Sequence, residues 1–354
     1  MPVAGVRSTQ VNIALMILLV AAVLFLAYNA IHYILYLYVT HLKDADDVGH
    51  SLNEYERRQL AEWMPRLSDF RKHDDENRTY DEVFGRYRGE NDNYSAGAFP
   101  RAAFSNPYDA DLALLNPTPG MSLLDLGCGS GAAAHFFASN SAAEILGVTN
   151  SVVQADICQR KFVAFDGRVS VMIADFDSLE LPDESFDAIY SLESIGYTKD
   201  LDAWMARCLR MLKPGGRLLI RTPGALDHCK TDVDFRNVTE FFENWRYNFF
   251  GPNLLVYKLR ETGFTPIRCR SVPFWAYGMT WNFLQHAYLW KNGLRMRSFV
   301  GLERIIWNTS KAFVFGNPYA IVLATKPSIP QTAQSRVGPV ARAEAPAAFS
   351  TAAE

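Results

Sequence analysis

The sequence predicts an α/β fold: an open, mostly parallel, doubly wound sheet of seven strands with helices on both faces. Three observations carry this. From about residue 120 onward, short apolar stretches alternate with helical patterns. The first apolar strand runs directly into Gly127, Gly129 and Gly131, after which "AAAHFFA" reads as a helix. The turn signal "NPTPG", Asn116 to Gly120, launches that strand. Strands are expected at Leu123–Leu126, Glu144–Val148, Val169–Ala174, Ala188–Leu192, Arg217–Arg221, Thr265–Arg270 and Ala320–Thr325. Ligands of such sheets bind beyond the carboxyl ends of the strands.

Before the sheet, residues 8–42 contain no Asp, Glu, Lys or Arg, and the run includes "VNIALMILLVAAVLFLAYNAIHYILYLYV". A charge-free apolar run longer than roughly 20 residues is a transmembrane-helix candidate. A spanning or deeply embedded helix is expected from about Val11 to Leu35. It continues toward Leu42 as an interfacial helix, because Tyr28, Tyr33, Tyr36 and Tyr38 interrupt the aliphatics and tyrosine favours the membrane interface. A cleaved signal peptide fits less well: the run is too long and no A-x-A site follows. A buried soluble helix is the remaining alternative. Flanking charges (Arg7 on one side; Lys43, Arg57 and Arg58 among acids on the other) do not orient it. Residues 1–42 thus form an anchor, 43–78 a charged helical connector, and 79–327 the main domain.

The glycine loop "LLDLGCGSG" places Asp125 at the strand end, followed by backbone that can turn sharply and let a ligand approach its amides and the next helix N-terminus. Alone the pattern is weak. Gly127, Gly129 and Ala132 also satisfy the dinucleotide fingerprint G-x-G-x-x-A. A dinucleotide site, however, wants an acid at the end of the second strand, and "LGVTNS" supplies Thr149 and Asn150 instead.

Taken together, "LLDLGCGSG", "GVTNSVVQ", "ADFDSLELPDESFDAIYSLES" and "LRMLKPGGRLLI" resemble a class I S-adenosylmethionine-dependent methyltransferase over about Pro119 to Ile220, and more loosely to Lys326. The resemblance implies S-adenosyl-L-methionine as cofactor. It implies Asp125, Gly127, Cys128, Gly129 and Gly131 around the methionine part, Asp175 on the adenine amino group, Phe176 beside the ring, and Asn150 and Leu192 lining the site. The form "GVTxSxxQ" is similar to the branch holding sterol and terpenoid C-methyltransferases and cyclopropane fatty acid synthases. In that branch Thr149 and Gln154 would contact ribose and methionine atoms without an acid. An ordinary helix-surface glutamine is the plainer reading of Gln154.

Glu193 follows the apolar strand Ala188–Leu192 at once. An alkene attacking an electrophilic methyl develops positive charge on the adjacent carbon. A carboxylate in a dry pocket stabilises that charge and can take the departing proton. The segment "SLES" resembles the corresponding segments of sterol and prenyl-diphosphate C-methyltransferases, which implies this role for Glu193, with Tyr197 as its neighbour. The plainer alternative is a carboxylate that caps the following helix or holds a backbone amide, a role Ser194 could share.

Before the last strand, residues 273–317 form an insertion expected to be helical, rich in Phe274, Trp275, Tyr277, Trp281, Phe283, Tyr288 and Trp290. It reads as a hydrophobic lid over a greasy substrate, with membrane contact through Lys291, Arg295 and Arg297 as a second use. Trp275, Tyr277, Trp281 and, upstream, Tyr94 are the candidate substrate-pocket residues. His286 could accept a proton but more simply packs in a core. Residues 328–354 are Ala/Pro/Ser-rich and read as a disordered tail.

A net charge of −3 argues against a nucleic-acid partner. The five cysteines form no C-x-x-C pair, so neither a disulfide framework nor a zinc site is indicated, and no metal is expected. The expected function is a membrane-anchored enzyme, its catalytic domain facing the cytoplasm, that methylates a carbon–carbon double bond of a terpenoid- or sterol-like lipid. The alternatives are methylation or cyclopropanation of a fatty acyl chain, methylation of a lipid head-group amine, and a membrane scaffold whose cofactor fold is vestigial. The sequence does not fix an oligomeric state.

Overall fold

The computed structural model describes residues 4–45, 52–63, 108–224, 231–233, 235–236, 247–248, 250–272 and 319–328. Among the described residues eight strands form one sheet in the order β1-β7-β8-β6-β5-β2-β3-β4. The strands are β1 (Lys43–Asp44), β2 (Ser122–Leu126), β3 (Glu144–Thr149), β4 (Val169–Ile173), β5 (Phe186–Leu192), β6 (Leu212–Pro223), β7 (Ile267–Val272) and β8 (Tyr319–Thr325). β2 pairs in parallel with β3 and β5, and β3 with β4, while β8 runs antiparallel to β6 and β7. The seven expected strands are all present. The eighth is β1, a two-residue edge strand antiparallel to β7, so the sheet has eight strands rather than the predicted seven. No period-2 pattern announces so short a strand: backbone hydrogen bonds alone place it, including Ala45 N–H to the Ile267 carbonyl at 2.9 Å.

The central strands are buried on both faces, which is why Leu218, Leu219 and Ile220 of β6 read as an unbroken apolar run. On one face α6 (Leu201–Met211) and α7 (Pro252–Thr262) bury Trp204, Met205, Leu255 and Leu259 against the sheet. On the other, α3 (Asp109–Leu115), α4 (Ala132–Asn140) and α5 (Val152–Phe162) bury Tyr108, Leu115, Phe137 and Phe162. Local chemistry sets the ends. Ser151 caps α5 by accepting from Gln154 N–H, and Asp200 caps α6 by accepting from Ala203 N–H. Within the stretch read as a connector, α2 (Glu54–Arg58) has a capping box between Asn53 and Glu56.

The apolar N-terminal run forms one helix, α1 (Ala4–Thr40). Among the described residues no helix is long and apolar enough to cross a membrane, so a helix stands where a span was expected, but not a span. Within α1 the longest uninterrupted run of described side chains is residues 15–27, and every one of these is exposed. The C-terminal end of α1 is built into the domain. Val39 and Leu42 are buried with Tyr108 and Leu115, and the Arg270 guanidinium lies 4.0 Å from the Tyr38 ring centroid.

Candidate active site

The carboxyl ends of β2, β3, β4 and β5 bring the expected residues together. After β2, Gly127, Gly129 and Gly131 all have positive φ (84°, 55° and 76°), a region that disfavours any side chain. Gly127 also sits where a side chain could not. A methyl there would overlap the Ser194 Cβ, lie 2.7 Å from its Oγ and 3.6 Å from the Phe176 ring. The loop is held by the amides of Gly127 and Cys128 donating to the Val148 carbonyl, by Lys161 Nζ donating to Ser130 O at 3.0 Å, and by the buried thiol of Cys158 donating to Gly129 O. Cys128, on the loop itself, is buried and its thiol is raised, first by the Cys158 thiol beside it and then by burial.

Asp125 is 2% exposed, and its Oδ2 accepts no hydrogen bond from the described residues. Burial pushes its carboxyl up to about 8, with the neighbouring Tyr190 phenol pulling the other way. A buried carboxylate with an open acceptor at a glycine loop suits a ligand bearing positive charge. At the end of β3, Thr149 donates to Gln154 Oε1 at 2.8 Å, and both are buried. Gln154 is therefore not a surface glutamine: Ser151 turns the start of α5 inward and fixes the pair. Asn150 is exposed at the rim. Beyond β4, Asp175 is half-exposed, pairs with Lys199 Nζ at 3.1 Å and accepts from Asp177 N–H, while Phe176 lies against the loop.

Glu193 leaves β5 with φ 62°, an uncommon conformation for a residue with a side chain. Its N–H donates to the Arg221 carbonyl on β6 at 2.6 Å. Its charge raises three buried groups on other elements: Tyr108, Asp111 and Tyr247, in each case behind the larger effect of burial. Glu193 itself is partly buried. The capping alternative fails for α6, because Asp200 caps that helix. Ser194 instead fastens the turn to β2, bonding the Ser191 hydroxyl at 2.7 Å and the Leu126 carbonyl. Tyr197 packs edge-on to Tyr247 at 4.8 Å between centroids, and Tyr247 bonds the Thr222 hydroxyl at 2.7 Å. Leu192, at the end of β5, is partly buried.

Four neighbours of Glu193 escaped the sequence reading: Tyr247, Tyr108, Asp111 and Arg221. Asp111 and Arg221 form an ion pair at 3.3 Å, both essentially without solvent exposure, and the guanidinium lies 5.7 Å from the Tyr108 ring centroid. An arginine inside the apolar strand "RLLIRTP" was the available signal, since a fully buried arginine requires a partner. Tyr94, Trp275, Tyr277 and Trp281 lie outside the described residues. Among the described residues no cluster of metal-ligating side chains occurs.

The sheet and the glycine loop are those of a class I S-adenosylmethionine-dependent methyltransferase domain, with S-adenosylmethionine as its cofactor. Residues 124–220 match the family described as a methyltransferase domain. The chain is 33% identical over 165 residues to an O-methyltransferase of Pyrenophora dematioidea, a match covering 45% of this chain and 59% of that one. It is 35% identical over 100 residues to the sterol 24-C-methyltransferase of Yarrowia lipolytica, covering 28% of this chain and 26% of that one. It therefore spans less than two thirds of either relative. The fold is shared with geranyl diphosphate C-methyltransferase from Streptomyces coelicolor A3(2), solved with S-adenosyl-L-homocysteine, at a TM-score of 0.53 and 16% identity, covering 72% of this chain and 98% of that one.

Proposed function

We propose that the chain is an S-adenosylmethionine-dependent C-methyltransferase acting on a carbon–carbon double bond of a hydrophobic, terpenoid- or sterol-like lipid. The observation that carries the reading is Glu193, partly buried at positive φ at the carboxyl end of β5, where its charge acts on the buried Tyr108 and Tyr247. When bound, the cofactor supplies an electrophilic methyl group. Asp125, the amides of the glycine loop, the Thr149–Gln154 pair, Asp175 and Phe176 are the residues that would hold it. Glu193 would stabilise positive charge on the substrate carbon and receive the proton lost from it, and the tyrosine faces would add cation–π attraction.

The same reading assigns lipid as the partner of α1. Its exposed side chains, among them Leu15, Leu18, Leu19, Val23, Leu24 and Leu26, are apolar around the whole circumference rather than along one stripe. A helix of that kind seeks a surrounding apolar phase. The likeness to an O-methyltransferase favours a second reading, heteroatom methylation, in which Glu193 orients or deprotonates a hydroxyl. The test is incubation of the protein in vesicles with lipid extract and methyl-labelled cofactor, followed by mass and NMR analysis of the lipids. A labelled methyl bonded to carbon supports the first reading. A methyl bonded to oxygen or nitrogen replaces it with the second. Binding of S-adenosylhomocysteine without any transfer would favour neither.

A further inference from the structure

Asp175, the carboxylate assigned to the adenine amino group, has a different partner on each oxygen. Oδ1 accepts from the Asp177 N–H at 2.9 Å, within its own turn. Oδ2 accepts from the Lys199 ammonium at 3.1 Å. Lys199 belongs to another part of the chain, between the turn that carries Glu193 and Tyr197 and the start of α6. Its backbone is fixed there: the Lys199 N–H donates to Asp177 Oδ2 at 2.7 Å, and the Thr198 hydroxyl donates to Asp177 Oδ1. Asp175 and Asp177 thus hold Lys199 at both ends, one by its ammonium and the other by its amide. The two grips differ in strength. The Asp177 side chain is 11% exposed, whereas those of Asp175 and Lys199 are 41% and 43% exposed. An ion pair that open to water is worth little, so a ligand displaces it at small cost while the backbone stays anchored.

We propose that Lys199 is a positioning residue that limits cofactor affinity: its ammonium holds Asp175 Oδ2, the oxygen not bonded within its own turn, and yields it when the adenine amino group is seated. The inference rests on the assignment of Asp175 to that amino group. A neutral amino group donates most strongly to a carboxylate whose charge is uncompensated, and the ammonium compensates it. Only the side chain of Lys199 has to move, because its amide is anchored separately on Asp177, so the turn that carries Glu193 keeps its place. S-adenosylhomocysteine carries the same adenosine and meets the same competition. Lys199 therefore favours release of the spent cofactor after each transfer.

The test is calorimetric titration of the full chain in detergent micelles with S-adenosylhomocysteine, whose net charge is zero, so the long-range field of Lys199 contributes little. K199M is expected to bind about two- to fivefold more tightly than wild type at low ionic strength, the range an exposed ion pair allows. K199R, which keeps the charge, should stay near wild type. Raising the salt from about 0.02 to 0.5 M screens the pair and should tighten binding to wild type, while K199M stays flat. In a D175N background the Lys199→Met change should have no effect, because the contested oxygen has lost its charge. Unaltered or weaker binding in K199M overturns the inference. So do equal salt profiles in K199M and wild type, or a gain from Lys199→Met that persists in D175N. The same titrations separate this inference from the reading it rests on. D175N that binds as tightly as wild type removes the adenine role of Asp175, and the role of Lys199 with it. Weakened binding in D175N with unaltered binding in K199M removes only the role of Lys199.

Discussion

Gly127→Ala tests whether the cofactor loop and the turn carrying Glu193 form one packed unit. Two costs add. The residue has φ 84°, where an L side chain costs about 1–2 kcal/mol. The new methyl would also overlap the Ser194 Cβ and lie 2.7 Å from Ser194 Oγ. Ser194 cannot step aside cheaply, because its hydroxyl is tied to Ser191 Oγ and the Leu126 carbonyl. Overpacking of this sort costs about 1–3 kcal/mol. The sum, about 2–5 kcal/mol, corresponds to a Tm lowered by roughly 4–20 °C for a domain of this size. Thermal unfolding and calorimetric titration with S-adenosylhomocysteine read both consequences. The double variant Gly127→Ala/Ser194→Gly removes the clash and keeps the φ cost. A thermodynamic cycle should therefore return a coupling of about 1–3 kcal/mol between the two sites. A Tm within a degree or two of wild type in the single variant, or additive effects in the double, would refute the packing argument.

Other perturbations bear on separate parts of the site. Asp175→Asn should weaken S-adenosylhomocysteine binding by roughly tenfold or more, in line with about 1.5–3 kcal/mol for a hydrogen bond to a charged group. Its Tm should not change, since the partly exposed pair with Lys199 is worth at most about 1 kcal/mol; calorimetry showing unchanged affinity excludes the adenine role. The Asp125 carboxyl is held at about 8 in the folded protein, against about 3.9 in an unfolded chain. Between those values the folded state keeps a proton that the unfolded state has lost, so stability declines as pH rises from about 4 to about 8. Melting curves of the cofactor-free protein should show that decline in wild type and a flatter profile in Asp125→Asn; parallel profiles would contradict the burial assignment. Leu19→Arg puts a charge amid the exposed apolar surface of α1. A charge enters an apolar phase only at a large desolvation cost, so vesicle flotation should drop, and unaltered flotation would remove lipid as the partner of α1.

The strand ladder was legible because a parallel sheet buried on both faces leaves continuous apolar runs, and the glycine loop was legible because positive φ restricts residue choice. Thr149 and Gln154 could be placed by their motif, but the hydrogen bond between them could not: it depends on Ser151 turning α5 back over the end of β3. The group around Glu193 was less legible still. Tyr108 and Asp111 precede β2, Arg221 lies within β6 and Tyr247 precedes α7, and only the sheet order β6-β5-β2 brings them together. Sequence spacing carries no trace of that proximity. The edge strand β1 was hidden for a related reason, since its position comes from pairing with β7 rather than from any pattern in Lys43 and Asp44.

The most direct measurement is turnover of Glu193→Gln on extracted lipid, normalised to S-adenosylhomocysteine binding sites. Gln keeps the size of the side chain and removes its charge. Intact binding with turnover lowered on the order of 10²-fold or more is expected for a carboxylate that stabilises developing charge and accepts a proton. Turnover close to wild type at full binding stoichiometry would contradict the central role given to Glu193.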